Sequence, residues 1–247
     1  ACGQKNSYLL ESVIGGERFG RFSFIGLPAK TLLKTVGTPQ KPLTQIITND
    51  VVVETNDDNP LDFIDAYFKR FKVALKPGLP RFCGGLAGYF AYDTVRYIEP
   101  RLAQHHLPDE LALPDIQLLL TEELAVIDNV LGRIYLIVYA DPAQTDALAQ
   151  AENRLHELRA LLDQPITLQP SEPSKKTELI RKFKQADFEA AISKTKEYIL
   201  AGDCMQVVIG QRISKPYTNS PLELYRALRS LNPSPYMYFY DFGDFQV

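Results

Sequence analysis

Short apolar runs bounded by turn residues fill the first part of the chain and predict a β-rich region with few helices. The predicted strands, in chain order, cover residues 8–10, 22–26, 45–49, 51–55, 116–121, 123–128 and 133–139. Asn49-Asp50 and the stretch from Asn129 to Gly132 predict tight hairpin turns between neighbouring strands. The small residues within 83–89 predict that this backbone packs closely against a sheet.

Apolar residues at three- and four-residue spacing predict four helices. Their predicted N-terminal caps, in chain order, are Asn59, Asp141, Asp187 and Ser220. Their predicted buried stripes are Leu61, Ile64, Phe68 and Phe71; Leu148, Ala151, Leu155, Leu158 and Leu162; Phe188, Ala191, Ile192, Thr195 and Ile199; and Leu222, Tyr225, Leu228 and Leu231. Gly202 ends the third helix, and Pro233 and Pro235 break the chain after the fourth. A strand is predicted over 205–212, and an aromatic strand follows the two prolines and runs to Phe242.

Composition limits the class of protein without indicating its chemistry. The 247 residues carry a formal net charge of -3, which gives no electrostatic case for binding nucleic acid or an anionic membrane. No apolar run is long enough to span a bilayer, and the N-terminus lacks the charged-then-apolar order of a signal peptide. The widely spaced Cys2, Cys83 and Cys204 are typical of reduced thiols in a cytoplasm. We therefore expect a soluble cytoplasmic protein.

Generic catalytic motifs do not occur in the sequence. There is no phosphate-binding loop, no dinucleotide fingerprint and no Cys-x-x-Cys pair. His105-His106 lies in a polar, proline-flanked stretch, which predicts a solvated loop rather than a metal site. Adjacent histidines rarely converge on one ion without a third ligand nearby. We therefore predict no metal site in this chain.

Three stretches, taken together, resemble the family of anthranilate synthase large subunits (component I), which are chorismate-utilising enzymes. The first is Leu9-Leu10-Glu11-Ser12-Val13, followed by the glycine-rich stretch 15–26. The second covers 84–97, and the third runs from 188 to 212 and on to Asn232-Pro-Ser-Pro-Tyr-Met237. Their order and spacing match along nearly the whole chain, which makes the signal stronger than any single motif.

The resemblance implies an α+β fold class, with mixed, mainly antiparallel sheets packed with helices. It implies an N-terminal domain over 1–163, a proline-rich linker over 164–186, and the truncated start of a chorismate-binding catalytic domain over 187–247. Family members continue beyond the position of Val247 into a segment like Gly-Ser-Ser-Pro-Glu and then the magnesium-binding glutamates. We therefore expect this chain to be an inactive N-terminal fragment.

In this family, the Leu-Glu-Ser and Asn-Pro-Ser-Pro-Tyr-Met segments form the feedback site for L-tryptophan, so the resemblance implies such a site here. The residues carried over are Glu11, Ser12, Arg21, Asn232, Ser234, Pro235, Tyr236 and Met237. A free amino acid needs a carboxylate for its ammonium, donors for its carboxylate and an apolar slot for its side chain. Glu11 suits the first need, and Ser12 and Arg21 suit the second. Taken alone, Asn232–Met237 indicates a helix stop, a turn and a core strand.

The residue type at position 206 bears on whether water or ammonia is the nucleophile that adds to chorismate. Relatives that add water to chorismate, the isochorismate and salicylate synthases, usually have lysine at this place, where it can act as a general base. Glutamine cannot accept a proton at neutral pH, so the resemblance favours ammonia and assigns Gln206 to the catalytic region. A polar side chain hydrogen-bonded inside a sheet is an equally open interpretation of Gln206.

The resemblance implies conversion of chorismate and ammonia to anthranilate and pyruvate in tryptophan biosynthesis, with feedback inhibition by L-tryptophan. It also implies Mg²⁺, with its ligands absent from this chain, and a glutamine amidotransferase subunit that supplies the ammonia. One alternative is component I of aminodeoxychorismate synthase, which usually departs from the Asn232–Met237 sequence. Another is a non-catalytic tryptophan-binding regulatory module. The Asn232–Met237 sequence favours anthranilate synthase over the first alternative.

Overall fold

A computed structural model describes residues 4–13, 20–104, 109–165 and 177–247 of the chain. The strands are β1 (Ser7–Glu11), β2 (Phe22–Gly26), β3 (Thr31–Thr38), β4 (Lys41–Thr48), β5 (Val51–Asn56), β6 (Gly85–Phe90), β7 (Ile116–Thr121), β8 (Glu123–Asp128), β9 (Arg133–Val138), β10 (Ile180–Arg181), β11 (Ile213–Ser214) and β12 (Met237–Asp241). The α-helices are α1 (Pro60–Phe68), α2 (Ala147–Leu162), α3 (Gln185–Ala201) and α4 (Pro221–Leu231). Short 3₁₀ segments cover Tyr92–Tyr97 and Leu102–Gln104.

Two five-stranded antiparallel sheets carry most of the strands. The first has the order β12-β1-β2-β8-β9, and the second has the order β5-β4-β3-β7-β6. Buried side chains of both sheets share one core, with Tyr8 from the first sheet and Leu32 and Leu119 from the second. Helices pack with these antiparallel sheets, which confirms the predicted α+β fold class.

The chain forms two compact units, and the first is assembled from both of its ends. That unit contains Ala1–Ile166 together with Pro221–Val247, and the second unit contains Thr167–Ser220. The return of the chain into the first unit places β12 beside β1, so the aromatic strand lies at the edge of the first sheet. The family resemblance implies domain limits of 1–163, 164–186 and 187–247. The compact units do not test these limits, which stay a prediction.

Several local predictions are confirmed by the backbone. Asn49 and Asp50 have φ angles of 52° and 63°, the left-handed values that a two-residue hairpin turn requires between β4 and β5. The Asn59 side chain accepts a hydrogen bond from the backbone N–H of Leu61 and so caps α1. At Gly88, an added Cβ would overlap the carbonyl oxygen of Gln117 on the neighbouring β7. The glycine therefore permits the close backbone packing that the sequence predicts.

Helix α1 buries only part of the predicted face. Ile64 and Tyr67 are buried, whereas Phe68 and Phe71 are exposed, so the predicted stripe was wrong for these two residues. The helix ends at Phe68, and residues at positions i, i+4 and i+7 from Pro60 form its buried face. Phe71 lies beyond the helix and contacts the ring of Tyr67 edge-on, with ring centroids 5.3 Å apart.

Helix α2 begins later than predicted. The Asp141 carboxylate accepts a hydrogen bond from the backbone N–H of Ala143 and closes a separate turn, and Asp146 then has a left-handed φ of 58°. The helix starts after Asp146, so Asp141 is not its cap. Within the predicted stripe, Ala151 and Leu158 are buried, and Leu148 and Leu162 are exposed.

In the unit Thr167–Ser220, α3 is the main element. It starts at Gln185, so Asp187 lies in its first turn and is not the predicted cap. Gly202 ends the helix with a left-handed φ of 83°, as predicted. None of the α3 residues is buried, and the least exposed members of the predicted stripe are Phe188, Ala191, Ile192 and Thr195.

The strand predicted over 205–212 was wrong. These residues are irregular, and the paired segment that follows is the short β11, which is antiparallel to β10. A strand exists only where a neighbouring strand satisfies its backbone N–H and C=O groups. Among the described residues, no strand pairs with 205–212, so its apolar sequence alone does not produce a strand.

Candidate functional site

The two distant segments expected to share a site meet at one end of the first sheet. Strand β1 and strand β12 are antiparallel neighbours, and Glu11 is the register partner of Met237. Beyond the paired strands, the backbone N–H of Val13 donates to the carbonyl oxygen of Ser234 at 3.1 Å. The pairing therefore extends to the turn that precedes β12 and joins the Leu-Glu-Ser segment to the Asn-Pro-Ser-Pro segment.

The turn before β12 is shaped by Ser234 and its two flanking prolines. The Ser234 hydroxyl accepts a hydrogen bond from the backbone N–H of Tyr236 at 3.2 Å. Pro233 and Pro235 fix the backbone φ on both sides of the serine and remove two N–H donors. The two prolines therefore make the turn between α4 and β12 rigid. Before this turn, the backbone N–H of Asn232 donates to the carbonyl oxygen of Leu228 at the end of α4.

The Glu11 carboxylate is held by two side chains of α4. Tyr225 donates its phenolic O–H to Glu11 Oε2 at 2.9 Å, and Arg229 donates Nε–H to the same oxygen at 2.9 Å. Tyr225 and Arg229 are four residues apart, so they lie on the same face of the helix. The Glu11 side chain is only 13% exposed, and these contacts compensate its charge and its loss of hydration.

Part of this arrangement was not predicted from the sequence. Tyr225 was predicted only as a member of a buried stripe, and no role was predicted for Arg229. The stripe itself was partly wrong, because Leu228 and Leu231 are exposed and Tyr225 is the buried residue of α4. The four-residue spacing of Tyr225 and Arg229 is the one signal in the sequence that could have paired them.

A small apolar cluster lies beside the Glu11 carboxylate. Tyr225, Met237 and Phe239 are buried together, and Leu9, Val13 and Leu222 pack against them. The rings of Tyr225 and Phe239 have centroids 5.8 Å apart. Met237 thus faces the core of this cluster, whereas Tyr236 is 76% exposed. Asn232 and Pro235 are also exposed, and Ser234 is half-buried.

Ser12 carries an unsatisfied polar atom next to Glu11. Its Oγ is buried, and it has no hydrogen-bond partner among the residues that the structure describes. Most buried hydroxyls in proteins are hydrogen-bonded, so this atom is unusual. A buried hydroxyl of this kind can donate to or accept from a bound polar group.

Arg21, which was predicted for the same site, lies against Asp128. Its Nε and Nη2 donate to the Asp128 carboxylate, with Nη2 at 2.9 Å from Oδ2, and its guanidinium stacks over the Phe22 ring at 4.8 Å. The hydrogen bonds from Arg21 lower the pKa of Asp128 below its ordinary value, and backbone N–H groups of Leu131 and Val130 add to this effect. The binding role predicted for Arg21 stays a prediction.

Gln206 lies in the other compact unit, Thr167–Ser220. It is exposed and stands in the irregular segment 205–212, not on a strand as expected. Neighbouring Met205 and Val208 are also exposed. The catalytic role of Gln206 stays a prediction.

Metal ligands and membrane spans were searched over the described residues. In residues 4–13, 20–104, 109–165 and 177–247, no three His, Cys, Asp or Glu side chains converge as a metal-ligand set. His105 and His106 lie outside the described residues. Within the described part of the chain, no helix combines the length and the apolar character needed to cross a bilayer.

Comparison with known proteins gives one consistent family. The sequence profile of the chorismate binding enzyme family matches residues 26–247. Anthranilate synthase component 1 of Neisseria meningitidis serogroup B is 52% identical over 244 residues, which cover 98% of this chain and 49% of that protein. Anthranilate synthase component 1 of Pseudomonas aeruginosa is 47% identical over 252 residues, which cover 98% of this chain and 50% of that protein.

A solved structure agrees with the sequence relatives. The crystal structure of anthranilate synthase component I from Streptococcus pneumoniae matches with a TM-score of 0.74 and 27% identity, over 92% of this chain and 49% of that one. The chain thus spans about half the length of the relatives it matches. It belongs to the chorismate binding enzyme family and is a homologue of anthranilate synthase component 1.

Proposed function

We propose that this chain is part of an anthranilate synthase component I and contains its L-tryptophan feedback site. The observation that carries the proposal is the junction of β1, β12 and α4, where Glu11, Met237 and Tyr225 lie together. The 52% identity to the Neisseria relative supports the assignment to the family member with this activity. This junction is termed the tryptophan site.

Each chemical group of the amino acid has a suitable partner in the tryptophan site. The Glu11 carboxylate attracts the ammonium, and the unsatisfied Ser12 hydroxyl offers a hydrogen bond to a polar ligand atom. The apolar cluster around Met237 offers contact area for the indole ring. Asn232, Ser234, Pro235 and Tyr236 form a turn whose proline-fixed backbone loses little conformational entropy when a ligand binds.

The proposed reaction of the whole protein is addition of ammonia to chorismate, followed by elimination of pyruvate to give anthranilate. In this proposal a glutamine amidotransferase partner supplies the ammonia. The whole protein acts in the cytoplasm and requires Mg²⁺. Glutamine at position 206 is consistent with ammonia as the nucleophile, because it cannot act as a base that activates water.

The 247 residues on their own are expected to lack synthase activity, since they cover only 49% of the Neisseria relative. Anthranilate has a strong fluorescence, so its formation from chorismate, ammonium and Mg²⁺ is easily followed. We expect no signal from this chain alone. Production of anthranilate above the buffer rate would overturn this part of the proposal.

Calorimetric titration with L-tryptophan tests the feedback site directly. We expect saturable binding to the native chain and binding at least about tenfold weaker to Glu11→Gln, because a charge-assisted hydrogen bond to the ammonium is lost. Glu178→Gln is the matched control, since Glu178 is exposed in the other compact unit, and it should bind like the native chain. Equal binding by all three proteins would remove Glu11 from the site.

A further inference from the structure

The ion pair between Glu11 and Arg229 differs in geometry from a comparable pair in the same unit. Arg154 donates to the Glu123 carboxylate through both Nε and Nη2, which is the common bidentate arrangement. Arg229 reaches Glu11 through Nε alone, at 2.9 Å to Oε2. Among the described residues, neither Nη nitrogen of Arg229 makes a hydrogen bond, so part of its guanidinium fork is unused.

The two partners also differ in exposure. The Glu11 side chain is 13% exposed, and the Arg229 side chain is 44% exposed. A carboxylate so largely removed from water requires a cation beside it, whereas the guanidinium remains accessible to solvent. A planar guanidinium with unused N–H groups can bind a carboxylate in bidentate geometry. Arg229 can therefore accept an anionic group from solvent while it stays close to Glu11.

We propose that Arg229 recognises the α-carboxylate of the amino-acid ligand while Glu11 takes the α-ammonium. This inference rests on the proposed tryptophan site. Without ligand, Arg229 neutralises Glu11 through a contact to Oε2. A zwitterion brings one opposite charge for each partner, its ammonium for Glu11 and its carboxylate for Arg229. The ligand chemistry selected by this arrangement is a free α-amino acid.

The arrangement has opposite consequences for two kinds of ligand. For a ligand with an ammonium but no carboxylate, Arg229 is unfavourable, because its positive charge lies beside Glu11 and repels the ammonium. For a zwitterion, Arg229 is a binding group. Loss of the arginine charge should therefore weaken the binding of an amino acid and strengthen the binding of the corresponding amide. Damage to the fold would weaken the binding of both.

The test is calorimetric titration of L-tryptophan and L-tryptophan amide into the native chain, Arg229→Gln and Arg226→Gln. At about pH 6.5 both ligands carry a protonated amine, so they differ in the carboxylate. We expect Arg229→Gln to bind L-tryptophan about tenfold to a hundredfold more weakly, the usual effect of losing hydrogen bonds to a charged group. The same variant should bind the amide more tightly than the native chain. Arg226, exposed on the same helix, is the matched control and should change neither affinity.

Arg229→Lys separates charge from geometry. Lysine keeps the positive charge and loses the bidentate fork, so its affinity for L-tryptophan should fall between those of the native chain and Arg229→Gln. Equal weakening of both ligands in Arg229→Gln, or an unchanged preference for the zwitterion, would overturn the role of Arg229. Failure of the native chain to bind L-tryptophan would instead overturn the proposed site and, with it, this inference.

Discussion

Glu11 and Arg229 are 218 residues apart in the chain, and their side chains meet with Oε2 and Nε separated by 2.9 Å. Tyr225, one helical turn before Arg229, donates to the same oxygen. The contact exists because the chain returns from the unit Thr167–Ser220 and places both α4 and β12 beside β1. A charged site at this junction therefore depends on the packing of both ends of the first compact unit.

Removal of the Ser12 hydroxyl should separate stability from ligand binding. Ser12→Ala deletes a buried Oγ that has no partner among the described residues, so the free energy of unfolding should stay the same or rise by up to about 1 kcal/mol. The affinity for L-tryptophan should fall about fivefold to tenfold, since one ligand hydrogen bond is lost. Urea unfolding and calorimetry measure the two effects. Loss of stability without loss of affinity would assign Ser12 to the fold alone.

The bulkier Ser12→Leu tests the same position in a full-length relative. In the whole enzyme it should relieve inhibition by L-tryptophan and leave turnover largely intact, because the added side chain occupies ligand space. Inhibition and turnover are measured together with anthranilate fluorescence. An unchanged inhibition constant would exclude Ser12 from the site.

Substitution of Gly88 should be among the most damaging changes in the second sheet. An alanine Cβ would overlap the Gln117 carbonyl oxygen and come within 2.8 Å of the Leu118 Cα, so β6 and β7 must separate. We expect Gly88→Ala to lower the free energy of unfolding by about 2–4 kcal/mol. Gly78→Ala is the control, because no described atom lies within 4 Å of its added Cβ and only its φ of +88° opposes alanine, at about 1 kcal/mol. Equal losses in urea unfolding would contradict this account.

The Arg21–Asp128 pair should make stability depend on pH in the acid range. Hydrogen bonds from Arg21 lower the pKa of Asp128 in the folded chain, so its contribution is present above the unfolded value of about 3.9 and is lost as the pH falls through the folded pKa. Asp128→Asn should therefore have a lower free energy of unfolding than the native chain at neutral pH, and this difference should become smaller below about pH 4. Asp57→Asn, at an exposed position, is the control and should unfold like the native chain. Urea unfolding that shows the same difference for Asp128→Asn at every pH would rule out this linkage.

Hydrogen exchange should distinguish α3 from the core sheets. None of the α3 residues is buried, whereas all six residues of β7 are buried and β7 lies between β3 and β6. Amides of a helix without buried contacts open at low free energy. We expect peptides from 185–201 to exchange well before peptides from 116–121 in mass-spectrometric measurements. Equal protection of the two segments would show that α3 is stabilised by contacts absent from this structure.

Most strands of the two large sheets could be predicted from short apolar runs bounded by turn residues, but β3 and β6 were not predicted as strands. Four of the six residues of β7 are apolar, and every one of its residues is buried. The turn at Asn49-Asp50 follows from the ability of Asn and Asp to adopt left-handed backbone angles. The segment 205–212 has the same apolar character, but no strand among the described residues pairs with it. Local sequence does not reveal whether such a partner is present.

The candidate site could be predicted only in part. Its two motif segments were found from the family resemblance, and β1–β12 pairing brings Glu11 and Met237 together. No role in the site was predicted for Arg229, because a charged residue near the end of an amphipathic helix is usually solvated. Its contact with Glu11 depends on the tertiary position of α4, which helical periodicity does not specify.

The crystal structure of this chain with bound L-tryptophan tests the central claim most directly. We predict ligand density at the junction of β1, β12 and α4, with the ligand ammonium within hydrogen-bond distance of the Glu11 carboxylate and the ring against the Met237 cluster. Ligand density elsewhere on the chain, with this junction empty at a saturating concentration of L-tryptophan, would contradict the account.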